Sequence, residues 1–229
     1  MSNLSLINSK FFNYSNKNFL MLTSKSLCYD NVDKILKSID LNSAHLASVK
    51  QIHSNNIIFT NKKENSTRAD GIITSINSNL VLSIMTADCM PIILASNNGK
   101  EIAAVHAGWR GLCQGVLEES IKHFHSSLDK VTAWIAPCIS GEMYEVGEEV
   151  VHSFLENDQE SVSNIIKARN SKKWFLNLRL EAKRRLENSG IRVLMNDYCT
   201  FKDKELFFSY RRNKSKARMI TVVWRKNED

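Results

Sequence analysis

Between residues 47 and 106 the chain passes through six short Val- and Ile-rich segments, at 47–52, 56–60, 71–75, 81–86, 92–95 and 102–106, before any helical periodicity sets in. Each is closed by Asn, Ser, Gly or Asp, which is how short strands are punctuated. Helical spacing comes afterwards: Leu112, Val116, Leu117, Ile121 and Phe124 form one apolar stripe, with the helix entered at about Leu112. Further along, 131–136 reads as a strand and 144–155 as a helix. Residues 174–178 lead into a second amphipathic helix carrying Leu178, Ala182 and Leu186, and strands are expected at 191–195, 207–210 and 219–224. Near the start, 18–23 reads as a strand and 31–39 as a short helix capped by Asn31 or Asp33. Strands in runs, then helices, predict an α+β fold with mixed β-sheets in place of a regular parallel winding.

At 229 residues the chain fits a single domain over 1–229. A domain of that length buries roughly 70% of the surface its unfolded chain exposes, so it needs no covalent staple. Its five cysteines, Cys28, Cys89, Cys113, Cys138 and Cys199, are scattered and never spaced as a pair, which predicts reduced thiols in a cytoplasmic protein. No apolar run reaches the ~18 residues of a membrane span. The N-terminus also lacks a secretory signal's apolar core. The net charge of +7 gathers late, in AKRR and SYRRNKSKAR, without a series of aromatics for base stacking. It is read as a solvated basic surface, or a site for a small anion, and not as a nucleic-acid interface.

Three candidate metal ligands each end or follow a strand: His53 after SVKQI, Cys89 after LSIMTAD and His106 after EIAAV. Two imidazoles and a thiolate suit zinc better than oxygen-seeking cations, and three protein ligands leave the open position of a catalytic site. The spacings, 36 residues from His53 to Cys89 and 17 from Cys89 to His106, match no compact metal motif. The same residues also support a metal-free cysteine hydrolase, with Cys89 as nucleophile, His106 as base and Asp88 as the group orienting it. In HAGWRG, Gly108 and Gly111 permit a tight turn and close approach, and Arg110 sits where it can grip an anion near the start of the helix. Downstream, Tyr144, Glu145, Glu148, Tyr210, Arg211 and Arg212 are further polar candidates. His45, His123, His125 and His152 have no evident partners.

The ordered series QIH, ADGIIT, TADCMPIIL, AAVHAGWRG, YEVGEEV and FFSYRR…RM resembles the bacterial multi-copper polyphenol oxidoreductase, laccase-domain family, over about 46–224. The resemblance implies an α+β sandwich of mixed sheets with flanking helices. It also implies one zinc held by His53, Cys89 and His106. Members of that family resemble nucleoside phosphorylases that split adenosine, inosine and methylthioadenosine with phosphate, and they also deaminate adenosine. Copper-dependent oxidation of phenols and editing of peptidoglycan precursors have been attached to members as well.

A laccase needs several His-rich copper sites to carry four electrons, and six histidines cannot build such a set. Zinc is therefore expected ahead of copper. The expected partners are purine nucleosides and phosphate, with no nucleic acid and no membrane; a homodimer is compatible with this reading. In the resulting scheme Asp88, Cys89, His106 and Arg110 are catalytic, Asp88 as proton shuttle. Arg110, Tyr144 and Arg211 bind substrate. The alternatives are an amidase using Cys89 and His106 on a cell-wall precursor, and a copper polyphenol oxidase. Two departures stand out: the family's TTRxGG-like stretch is replaced by MLTSKSLCYDN, residues 21–31, and its cysteine pair before YEVG is replaced by Glu142 and Met143.

Overall fold

A computed structural model of the protein describes residues 12–15, 19–24, 36–37, 45–75, 78–169 and 172–225. Its centre is a six-stranded mixed sheet in the order β13-β9-β7-β8-β5-β4. The strands are β4 (Ile57–Phe59), β5 (Gly71–Ser75), β7 (Met90–Ser96), β8 (Glu101–Ala107), β9 (Val131–Ile135) and β13 (Arg192–Met195). A five-stranded mixed sheet, order β1-β2-β14-β6-β3, contains β1 (Phe12–Ser15), β2 (Phe19–Ser24), β3 (Leu46–Ala47), β6 (Val81–Thr86) and β14 (Met219–Arg225). A small antiparallel sheet joins β10 (Glu145–Val146), β12 (Trp174–Leu176) and β11 (Ile165–Lys167).

The central sheet is buried on both faces, so its strands read as nearly unbroken apolar runs. Side-chain alternation divides them between two cores. Ile92, Leu94, Ala103, Val105, Ala133 and Ile135 face the helices. Ile93, Ala95, Ala104 and Trp134 face the five-stranded sheet, meeting Leu82, Ile84 and Val223. The result is a sheet-on-sheet sandwich with a helical layer on one side. That layer comprises α1 (Trp109–Cys113), α2 (Val116–Lys122), α3 (Glu148–Asn157) and α4 (Leu178–Asn188). The expected stripe Leu112, Val116, Leu117 and Phe124 lies in this core, with Val150, Phe154, Ala182 and Leu186 packed against it. No helix among the described residues is long and apolar enough to cross a membrane.

Several expectations are corrected. Strand 47–52 shrinks to β3, because the side chain of Gln51 takes over the ladder: its Nε2 donates to the Met85 carbonyl at 2.8 Å and its Oε1 accepts from the Met85 N–H at 2.8 Å. The helix after HAGWRG begins at Trp109, not Leu112, and breaks at Gly115, whose φ of 84° no other residue adopts so cheaply. Residues 144–155 split into β10 and α3. The expected strand 207–210 is absent; Ser209 caps a short helix, α5 (Tyr210–Asn213), by accepting from the Arg212 N–H. The strand at 18–23 corresponds to β2, and most of the helix expected at 31–39 lies outside the described residues.

Candidate metal centre

The three candidate ligands come from three different segments of the sandwich. His106 lies near the end of β8, on the side of the strand that faces the five-stranded sheet. Cys89 sits in the three-residue link from β6 to β7, where the chain passes from one sheet to the other. His53 sits in the loop after β3 with φ of 61°, and Asp88 beside Cys89 has φ of 90°. Left-handed backbone at two non-glycine residues costs energy and marks places where surrounding contacts dictate the conformation.

One donor atom from each of His53, Cys89 and His106 lies within 4.8 Å of the others. Tetrahedral zinc, with Zn–N of about 2.0 Å and Zn–S of about 2.3 Å, spaces its donors roughly 3.3–3.7 Å apart, so a closure of about 1 Å by side-chain rotation suffices. The donor set is chemically suited to such an ion. The rings of His53 and His106 meet edge to face at 4.8 Å between centroids.

Asp70, which was not among the expected site residues, organises this cluster. It is fully buried in front of β5. Its Oδ1 accepts from the His106 ring at Nδ1 (2.8 Å) and from the His53 backbone N–H (2.9 Å). Its Oδ2 accepts from the backbone N–H and hydroxyl of Ser54, at 2.6 and 2.8 Å. One carboxylate therefore fixes the His53 loop and engages His106 at Nδ1, so that Nε2 is the ring nitrogen turned toward Cys89, free to ligate an ion once it gives up its own proton. Burial would raise the Asp70 carboxyl, but hydrogen bonds from His106 and Ser54 outweigh it and hold the group down at about 2.

The same contacts polarise the site. Burial opposes charge on Cys89, yet hydrogen bonds from His106 and His53 pull its thiol down to about 6. Burial likewise opposes charge on His106, and Asp70 and Cys89 push it up to about 9. Without an ion the pair is held as thiolate and imidazolium.

The glycines of HAGWRG act through space. A Cβ on Gly108 lies 3.2 Å from His53 Cδ2 and 3.3 Å from Cys89 Sγ, and one on Gly111 lies 2.6 Å from the Ser54 carbonyl oxygen. α1 is thus seated directly against the ligand cluster and its loop.

The other expected residues fall around this centre. Asp70, not Asp88, is the carboxylate on His106. Asp88 accepts instead from the Thr200 hydroxyl and the Arg211 backbone N–H, both at 2.7 Å, and so ties α5 to the strand link. Arg211 also donates to the Glu145 carbonyl at 2.7 Å and lies 5.1 Å over the Tyr144 ring. Arg110 is exposed on α1, its guanidinium 4.4 Å over Trp109. Burial, reinforced by the charge of Cys89, pushes the Tyr144 hydroxyl upward, so it stays protonated. A cleft of about 550 Å³ opens at the cluster, lined by His53, Cys89 and His106 together with Lys50, Tyr210 and Arg218. Arg110, Tyr144 and Arg211 are not among its lining residues.

Comparison with known proteins places this arrangement. The model of the family described as multi-copper polyphenol oxidoreductase laccase matches residues 9–226. A Haemophilus influenzae protein named purine nucleoside phosphorylase is 39% identical over 76% of this chain and 72% of its own. One of the same name from Aquifex aeolicus is 38% identical over 84% of this chain and 78% of its own. In fold, the chain is similar to the crystal structure of a Neisseria meningitidis protein, with a TM-score of 0.85 at 24% identity over 96% of this chain and 100% of the other. By the extent of the sequence match and the likeness of the fold, the chain belongs to the multi-copper polyphenol oxidoreductase laccase family.

Proposed function

We propose that the chain is a zinc-dependent purine nucleoside phosphorylase that splits adenosine, inosine or methylthioadenosine with phosphate and also deaminates adenosine. The observation that carries this reading is the convergence of His53, Cys89 and His106 on the wall of one cleft. It is supported by relatives that bear the name purine nucleoside phosphorylase.

His53, Cys89 and His106 would hold the zinc, which would supply Lewis acidity at this point of the cleft. The chain's own groups do the positioning. Asp70 fixes the tautomer of His106 and the backbone of His53. Asp88 is a positioning residue: both its oxygens are engaged, and through the Arg211 N–H it holds α5 so that Tyr210 reaches the cleft. Tyr144 offers a protonated hydroxyl beside Arg211, and these two, with Arg110, form the neighbouring surface assigned to the nucleoside. In phosphorolysis a phosphate oxygen bonds to the sugar's anomeric carbon as the bond to the purine nitrogen breaks. The purine leaves with a proton. Holding both reactants against each other, between the cleft and this neighbouring surface, is the main contribution asked of the protein.

Incubation of metal-loaded protein with adenosine, with and without phosphate, tests the reading. Adenine formed only with phosphate establishes the phosphorylase, and inosine formed without it the deaminase. Neither product rejects nucleoside chemistry.

One observation favours a second reading. A thiol held at about 6 beside an imidazole at about 9 also suits a cysteine nucleophile and its base. That hydrolase has no use for His53 as a third converging donor. Full activity in a strong chelator, abolished by thiol alkylation, would establish it.

A further inference from the structure

The cleft beside the His53–Cys89–His106 cluster carries a charge imbalance that the residue roles assigned so far leave unused. Its charged lining, apart from the cluster itself, consists of Lys50 and Arg218, with no Asp or Glu. Arg218 is half-buried. Its Nη1 donates to the carbonyls of Ser215 and Ala217, both at 2.9 Å, and its guanidinium lies 5.5 Å over the Tyr210 ring. These contacts fix the plane of the group. Among the described residues its Nε and Nη2 have no acceptor and no carboxylate pairs with it.

The other arginines near the site are engaged differently. Arg211 is tied to Glu145 and Tyr144, Arg212 to the carbonyls of Thr200, Phe201 and Phe207, and Arg110 lies exposed on Trp109. Lys50 is exposed, but its backbone is held by hydrogen bonds to Thr67 and Ala69. Thr86 lines the same cleft at 2% exposure, and its hydroxyl has no partner among the described residues.

A half-buried, pre-oriented guanidinium with two free donors is the arrangement that binds an oxyanion through two parallel hydrogen bonds. We propose that Arg218, with Lys50 on the same cleft wall, is the phosphate subsite of this cleft, taking over the anion-gripping role that the sequence assigned to Arg110. The ligand chemistry is a phosphate dianion, either free or as a substrate's phosphate ester. The identification of free phosphate as co-substrate rests on the phosphorylase reading above; the anion site does not.

The test uses metal-loaded full-length protein. With saturating inosine, Arg218→Gln is expected to raise the KM for inorganic phosphate on the order of 10–100-fold, since a charge-assisted hydrogen bond is worth about 1.5–3 kcal/mol. The KM for inosine should change little, Lys50→Gln should have a smaller effect, and Arg218→Lys should recover part of the loss. Metal content and circular dichroism report whether each variant is folded. A nucleoside 5′-monophosphate, tested in parallel, distinguishes the sources: if Arg218→Gln weakens only that ligand, the subsite holds a substrate's ester. If the wild-type chain performs no phosphorolysis, direct calorimetric binding of inorganic phosphate to wild type and Arg218→Gln decides the matter. Equal binding by the two folded proteins, or a phosphate KM raised by Arg110→Gln and not by Arg218→Gln, overturns the proposal.

Discussion

Asp70 accepts hydrogen bonds from His106, His53 and Ser54 with a single carboxylate, and its loss is felt at two ligands at once. Asp70→Asn is isosteric but cannot accept on both oxygens, so His106 loses its fixed tautomer and the left-handed His53 its anchor. Metal affinity should fall roughly 10–100-fold, read by competition with a chromophoric chelator. Gly108→Ala sets a methyl 3.2–3.3 Å from His53 and Cys89 and should also weaken metal binding, while thermal stability changes little because those side chains can yield. Gly111→Ala meets a backbone oxygen at 2.6 Å, which cannot. Its expected effect is the reverse: a loss of about 1–3 kcal/mol in chemical denaturation. His53, Cys89 and His106 stood out in the sequence because their side chains are distinctive metal donors. Asp70 did not, since an isolated acid before a strand looks like any turn residue until the fold brings 52–54 and 106 around it.

The helical layer depends on a buried ionic cluster on α4. Glu181 is fully buried and bonds to Arg184, Arg185, Ser161 and Asn164. Arg185 in turn donates to the Leu112 carbonyl at 2.9 Å, linking α4 to α1 and so to the His53–Cys89–His106 cluster. Burial raises the Glu181 carboxyl, but the arginines and the two neutral donors more than offset it and hold the group at about 2, below its ordinary 4.5. A depressed folded-state pKa stabilises the protein above the unfolded value, and that contribution is lost as pH falls from about 4.5 toward 2. Glu181→Gln removes the buried carboxylate that Arg184 and Arg185 share; Arg184 keeps Asp158 and Glu160, but the buried Arg185 keeps only Glu118 among the described acids, at 3.6 Å, and the loss should be about 3 kcal/mol at neutral pH. The gap from wild type should narrow below about pH 4 in melting curves taken across that range. At this scale the strands from β5 to β9 were legible because burial on both faces leaves them uniformly apolar. Elements set by side-chain capture of backbone were not: Gln51 replaces a ladder, and Ser209 caps a helix in an aromatic-rich segment that reads as a strand.

The whole molecule is a sandwich whose two sheets are joined by the link that carries Cys89, with His53 and His106 brought in from either side. Mixed sheets with flanking helices followed from the order of patterns along the sequence. The convergence of ligands separated by 36 and 17 residues did not, because such spacings acquire meaning only through strand order and register. Likewise Arg218, which shares the cleft wall with Lys50, was not singled out within a late basic tract that reads as a solvated surface or a small-anion site. The proposed chemistry requires one divalent ion held by His53, Cys89 and His106. Its most direct test is elemental mass spectrometry of protein purified without added metal, alongside a folded Cys89→Ser variant. About one zinc per chain in the wild type, lost or sharply reduced in the variant, is the expected result. Wild-type protein that is folded and fully active with no bound metal would contradict it.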